Sequence, residues 1–332
     1  MENNRAVKKA EVSSFSYTID KRMEEDANRI TTVDEWRSYI KKYYQPFCSI
    51  LAKLETKSPK STSDEDERKP IAVVTGGQPG AGKSALLPMY KGILKNFYQM
   101  NAVVNNADFY RFCIPGSYKI AMDFPESASE LTDPVVKEMT KDLIEESIKQ
   151  KQSIIIENTL GDTLALDQME ESKVHDIWVT LMAVPREESL LSDFERYIKM
   201  KEAGGVARLV SVAAHDKRYY ALDKIVPELE KRNIRLLVHS RGKREVDFPN
   251  LEYDSSNSSN VKRFGNASEA MRELRAKNFK EHVSSYEERV KLIREKMEGF
   301  GMNEEENEEL MKLEEIIGLT VKKEKAKEGE EK

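Results

Sequence analysis

Cysteine is almost absent from this 332-residue chain: Cys48 and Cys113 stand far apart and fit no metal or disulfide spacing. That excludes a disulfide-stapled scaffold and makes reducing cytosol the expected surroundings. Long apolar runs are missing as well. No stretch reaches the ~18 apolar residues of a membrane span, and the opening MENNRAVKKAEVSS has no apolar core of a secretory signal. A cytoplasmic protein without a membrane partner is the expectation. Excess positive charge is the third absence: 54 Lys and Arg face 59 Asp and Glu, a net charge of −5. With no basic surplus, a dedicated nucleic-acid binder is not expected. A nucleotide held by a few arginines remains compatible with the balance. No internal repeat is visible.

What is present divides into three zones. Hydrophobic residues make up 39% and charged residues 34%, which fits a soluble core with solvated helical appendages. Residues 1–68 read as a helical extension. Thr32 and Glu35 form a capping-box pattern, and Trp36, Ile40 and Tyr43 then recur at helical spacing until Pro46. The stretch KSPKSTSDEDERKP, Lys57 to Pro70, is polar, serine-rich and acidic, and reads as a linker. Residues 69–255 alternate strand and helix: IAVVT from Ile71, AVVNN from Ala102, SIIIE from Ser153, IWVTLMAV from Ile177 and IRLLVH from Ile234 are the strand candidates. Between them, Asp133 and Pro134 offer a helix start, with Val136, Met139 and Leu143 on its apolar face. Strands that are apolar nearly throughout and alternate with helices predict an α/β core with a mostly parallel, five-stranded sheet flanked by helices. Residues 256–332 read as a charged helical tail with an apolar stripe at Val283, Tyr286, Val290, Ile293 and Met297. The stripe is expected to pack on the core or self-associate, and the closing KKEKAKEGEEK to be disordered.

The first strand runs into Gly77-Gln78-Pro79-Gly80-Ala81-Gly82-Lys83-Ser84, which satisfies G-x-x-x-x-G-K-[ST] in full. Glycines let successive backbone N–H groups turn inward around phosphate oxygens, and the helix that follows adds its positive end. Lys83 is expected to neutralise the β and γ phosphates of ATP, and Ser84 to ligate Mg²⁺. The motif stands between a strand and a helix, the context it requires.

A phosphate loop alone does not separate kinases from ATPases and GTPases. Asp108, just past the second strand in VVNNADFYR, is placed to accept the proton of an attacking hydroxyl; the competing reading is a cap or turn aspartate. Glu157 ends the strand SIIIE in the manner of an acid that orients Mg²⁺, and Thr159 offers a hydroxyl to phosphate or substrate; both also fit a plain strand-end turn. Arg196 and Arg208 flank Gly204 and Gly205, so a mobile segment would deliver guanidinium groups to a transferring phosphoryl. Alone, they read as solvated surface arginines.

Taken together these residues resemble the zeta toxins, P-loop kinases of bacterial toxin–antitoxin systems. The resemblance rests on GGQPGAGKS and is extended by NNADFYR, IIIENTL, MAVPREESLLSDFERY and ARLVSVAAHD, over roughly residues 71–240. It implies transfer of the ATP γ-phosphate, with Mg²⁺, to a hydroxyl of UDP-N-acetylglucosamine, which starves cell-wall synthesis. It implies Asp108 as catalytic base and substrate contact, Lys83 and Ser84 on phosphate and metal, Glu157 and Thr159 as the strand-end pair, and Arg196 and Arg208 as lid arginines. There are departures. Asn158 stands where the family has glycine, Gly161 stands near the place of a family arginine, and the acid that helps hold the sugar has two candidates, Glu138 and Asp142. The family is inhibited by a small helical antitoxin. Either such a partner acts in trans, or residues 1–68 do so in cis; a merely decorative helical extension is the alternative. A kinase for another sugar, nucleoside or dinucleotide, and an ATP-binding interaction protein without transfer, are the rival functions.

Overall fold

The segment IAVVTG forms β1, Ile71–Gly76, and every residue in it is buried. Such a strand has no polar face because both of its sides are covered. The computed structural model describes residues 25–43, 68–114, 116–124, 128–204, 207, 209–242 and 247–330. They form two units, one of residues 25–43 with 106–146, the other of 68–105 with 147–330.

The second unit holds the sheet. Its strands are β1, β2 (Ala102–Asn105), β3 (Ser153–Ile156), β4 (Asp176–Met182), β5 (Arg235–Ser240) and β6 (Asn250–Asp254). The order is β2-β3-β1-β4-β5-β6, and all neighbours are parallel except β5 with β6. The first five strands are the expected ones. The sixth was not anticipated: NLEYD has no apolar run, and its first residues are exposed at the sheet edge. β1 lies in the interior of the sheet, so whatever follows Gly76 emerges at the carboxyl edge between β3 and β4. The helix α3, Leu86–Phe97, buries Leu86, Leu87, Tyr90 and Leu94 against Ile71, Val73 and Ile155.

Helices α7 (Leu164–Ser172), α8 (Arg186–Glu202) and α9 (Val212–Leu229) follow β3 and β4. After β6 come α10 (Ser258–Phe264), α11 (Ala267–His282), α12 (Tyr286–Phe300) and α13 (Glu304–Glu330). The stripe Tyr286, Val290, Ile293 and Met297 is buried with Leu190, Leu191, Phe194 and Tyr197 of α8 and Leu310, Leu313, Ile317 and Val321 of α13. The closing lysine- and glutamate-rich segment differs from its reading as disordered: α13 continues to Glu330. Its alanine, glutamate and lysine are strong helix formers, and Lys325 holds Glu287 of α12 at 2.8 Å. Among the described residues no helix is long and apolar enough to cross a membrane.

The first unit is helical: α1 (25–28), α2 (33–43), α4 (Ala107–Cys113), α5 (Ser117–Asp123) and α6 (Ala128–Lys149) as far as residue 146. The capping box forms as read: Thr32 N–H donates to Glu35 Oε2 at 3.0 Å and Glu35 N–H to Thr32 Oγ1 at 3.3 Å. Trp36 is fully buried. The start of α6 is a correction. The helix begins at Ala128 and carries Pro134 inside it, while Asp133 pairs with Arg111 at 2.6 Å instead of capping. Val136, Met139 and Leu143 are buried, as their spacing requires. The readings of Pro46 and of most of the 57–70 linker lie outside the described residues, as does most of the extension 1–68.

Candidate phosphate-binding site

Between β1 and α3 the chain turns through the glycine loop and a 3-10 turn, Lys83–Ala85. Gly80 and Gly82 have φ of 71° and 88°, the left-handed region that side chains disfavour. Gly80 also needs the space, because a Cβ there would collide with the Ser189 carbonyl. Lys83 is buried, and its Nζ donates to Gln78 O at 2.9 Å, so the ammonium is folded over the loop. The first N–H groups of a helix have no partner within it, which leaves the end of this loop a row of donors.

Two side-chain chains hold the loop from outside. In the first, the fully buried Gln78 donates through Nε2 to Val184 O at 3.0 Å and to Ser189 Oγ at 2.9 Å. Ser189 Oγ lies 2.9 Å from His215 Nε2, and His215 Nδ1 lies 3.2 Å from Asp216 Oδ1. Arg186 closes the chain with two bonds to Asp216, at 2.8 and 2.6 Å. Burial pushes the His215 imidazole down to about 4, with Arg186 and Lys83 acting in the same direction and Asp216 opposing. The ring is therefore neutral and serves as a tie. Gln78, read as a cofactor contact, turns its side chain into this tie.

The second chain begins with Arg241, just beyond β5. It donates to the Gly80 carbonyl, to Ala81 O at 3.4 Å, to Glu188 Oε1 at 2.9 Å and to Ser192 Oγ at 2.8 Å. Glu188 is buried on α8, and its other oxygen takes Arg289 of α12 at 2.7 Å. Arg289 also grips Glu195 at 2.7 and 2.9 Å. A peptide is planar and trans, so a carbonyl held outward directs the next N–H the opposite way. Arg241 thus orients the peptides that lead into Gly82. Neither Arg241 nor Arg289 was singled out from sequence. Arg241 directly follows Ser240, the last residue of β5, in VHSRGKR and carries no motif of its own.

Ser84 and Glu157, each assigned to Mg²⁺ from sequence, are hydrogen-bonded to one another: Ser84 Oγ donates to Glu157 Oε1 at 2.9 Å. Glu157 N–H bonds Asn105 O at 2.8 Å, fixing the end of β3 against β2. Asn158 N–H donates to Thr75 Oγ1 at 3.1 Å, and its Oδ1 accepts from Leu160 N–H at 2.7 Å. That side-chain turn suits asparagine and gives the departure from glycine a local role. Leu160 itself has φ of 52°, a strained conformation for a leucine, and is wholly buried over Gly76. Thr159 is half-buried between them. Two hard oxygens, from Ser84 and Glu157, fit Mg²⁺, which takes few protein ligands and completes its shell with phosphate and water. Among the described residues no group of three or more His, Cys, Asp or Glu converges as a metal site.

Arg196, its side chain 48% exposed, is held by Asp193 Oδ1 at 2.5 Å, and the buried Asp193 also accepts from Val210 N–H at 3.2 Å. Arg208 lies outside the described residues. Asp108 is on α4 in the first unit, three residues past β2. Glu138 and Asp142 are both on α6, where burial, then repulsion from Glu138, raises the Asp142 carboxyl above its ordinary range.

A zeta toxin family model matches residues 54–252, a span that contains the loop, β3 with its acid, and the Gln78–His215 tie. The chain belongs to the zeta toxin family. Its relatives in that family include toxin PezT of Streptococcus pneumoniae, 26% identical over 136 residues, or 40% of this chain and 52% of that protein. Toxin zeta of Streptococcus pyogenes is 27% identical over 151 residues, 44% of this chain and 51% of its own length. The match thus spans about half the length of these zeta toxin relatives. A solved structure from the PezAT chromosomal toxin–antitoxin system of S. pneumoniae has a TM-score of 0.61 at 21% identity, covering 78% of this chain and 99% of that one. At that identity the likeness establishes the shared α/β P-loop kinase fold.

Proposed function

We propose that this zeta toxin family member is a kinase that transfers the γ-phosphate of ATP to a hydroxyl of a nucleotide-linked sugar, with UDP-N-acetylglucosamine as the acceptor. The observation that carries the reading is the Ser84–Glu157 hydrogen bond beside a glycine loop capped by the buried Lys83. A bare nucleotide switch and a kinase share that much; membership of the zeta toxin family favours the kinase. Lys83 and the loop N–H groups would hold the β and γ phosphates. Ser84 and Glu157 would hold Mg²⁺, which when bound neutralises charge on the bridging oxygens. Asp108 would take the proton from the acceptor hydroxyl as its oxygen bonds to the γ-phosphorus and the bond to the β,γ-bridging oxygen breaks, giving a phosphomonoester and ADP. Arg196 and Arg208 would stabilise the charge spread over the equatorial oxygens.

Loss of an amino-sugar precursor would make such an activity harmful to a growing cell and place it in the cytoplasm, where the precursor is made. An antitoxin, in trans or supplied by residues 1–68, would restrain it; the PezAT structure comes from a two-component system of that kind. Incubating the full chain with labelled ATP and a panel of nucleotide sugars tests the reading. Phosphorylated UDP-N-acetylglucosamine is the expected product, and Asp108→Asn should lower turnover at least 100-fold while nucleotide binding stays within twofold. ATP hydrolysis with no labelled acceptor, or full transfer by the Asp108 variant, would contradict it.

A further inference from the structure

We propose that Arg218 is an anion-binding residue on the acceptor side of this site, receiving the diphosphate of the nucleotide-linked sugar; this rests on the kinase reading above. Arg218 lies on α9 one turn beyond His215, the residue that ties that helix to Ser189 under the phosphate loop. Its guanidinium rests against Gly161. A Cβ at that position would collide with Arg218 Nη1 and stand 3.0 Å from Cζ. Gly161 follows Glu157 by four residues and Thr159 by two, on a turn pinned by the buried, left-handed Leu160. The guanidinium therefore rests on the loop that follows β3, two residues past Thr159.

Arg186, Arg232, Arg235 and Arg241 each hold a carboxylate within 3 Å. Half-buried Arg218, by contrast, has neither hydrogen bond nor ion pair among the described residues. A partly desolvated guanidinium without a partner is costly, and a planar fork of donors is matched best by phosphate oxygens. The triphosphate of ATP already has Lys83 and the loop amides. A second anion, arriving over the β3 loop, is the ligand left to Arg218, and the diphosphate of a nucleotide sugar supplies one.

Calorimetric titration of UDP-N-acetylglucosamine into the full chain, saturated with a non-hydrolysable ATP analogue, tests this. Arg218→Ala should weaken binding at least tenfold and Arg218→Lys less. Gly161→Ala, whose backbone is not left-handed and whose new methyl meets only the mobile end of Arg218, should weaken it comparably by displacing the guanidinium. The double variant should bind no worse than Arg218→Ala. Affinity for the ATP analogue should stay within twofold throughout, and under turnover the acceptor KM should rise more than kcat falls. Acceptor binding by Arg218→Ala within twofold of wild type overturns the proposal while leaving the kinase reading intact, and so does a loss confined to the ATP analogue. If the wild type binds no nucleotide sugar, the acceptor assignment fails instead, and pyrophosphate becomes the probe. Weaker pyrophosphate binding by Arg218→Ala than by wild type supports the anion site; equal binding, or none by wild type, overturns it.

Discussion

Replacing Arg241 with methionine separates a loop-ordering role from a merely structural one. The substitution keeps the aliphatic stem and removes four sets of hydrogen bonds: to the carbonyls of Gly80 and Ala81, to Glu188 and to Ser192. Breaking a buried ion pair costs about 3–5 kcal/mol, mostly because one charge is left alone. Here Glu188 keeps Arg289, and the Arg241 side chain is 31% exposed, so the loss should fall nearer 2–3 kcal/mol, a typical range for charged hydrogen bonds. For a unit of this size that is a drop of about 4–12 °C in Tm. The two freed carbonyls would let the Gly80–Gly82 peptides rotate, and nucleotide affinity should fall at least tenfold, about 1.4 kcal/mol. Arg289→Met is the comparator, because it spares every bond between Arg241 and the loop. Fluorescent-nucleotide titration alongside a thermal melt reads both quantities. If Arg241→Met melts early yet binds nucleotide as tightly as Arg289→Met, the carbonyl clamp does not organise the loop.

Two further outcomes follow from named residues. Burial holds His215 and His239 at about 4 in the fold against an ordinary 6.5. Between those values the unfolded chain binds more protons, so stability should be complete above pH ~6.5 and fall by about 1.4 kcal/mol per pH unit per histidine on acidification toward 4. Urea unfolding at pH 5, 6 and 7 checks the slope, to which buried His175, also lowered by desolvation, adds in the same sense and which His239→Gln should reduce; a flat profile would count against neutral buried rings. Gly80→Ala should cost far more than Gly204→Ala. Both glycines have positive φ, worth about 1–2 kcal/mol to an alanine, but only Gly80 adds a collision with the Ser189 carbonyl, whereas Gly204 has open space. Equal Tm losses would refute the packing argument.

Much of the sheet was readable because parallel strands buried on both faces leave unbroken apolar runs, as in SIIIE and IWVTLMAV. β6 was not, since an edge strand such as NLEYD needs no such run. The glycine loop was legible because its motif fixes residue types over one short, contiguous stretch; that Ser84 bonds Glu157, 73 positions away, was not. Nor were the ties behind the loop. Gln78 read as a ligand contact because it lies inside the motif, yet its amide turns inward to Ser189, and only the fold brings ARLVSVAAHD beneath GGQPGAGKS. Arg241 and Arg289 looked like any surface arginine until Glu188 was found buried between them. Pro134 misled for a related reason: proline favours a first turn, but α6 had already begun at Ala128, and Asp133 was engaged by Arg111.

The clamp on the phosphate loop is closed from the far end of the chain. Gly80 meets its donor 161 positions later, and the carboxylate that steadies that donor is shared with Arg289 on α12. A ribosome must therefore release most of the polypeptide before the nucleotide cradle acquires its outer support. Prematurely terminated products would carry the complete glycine motif without the scaffold that shapes it.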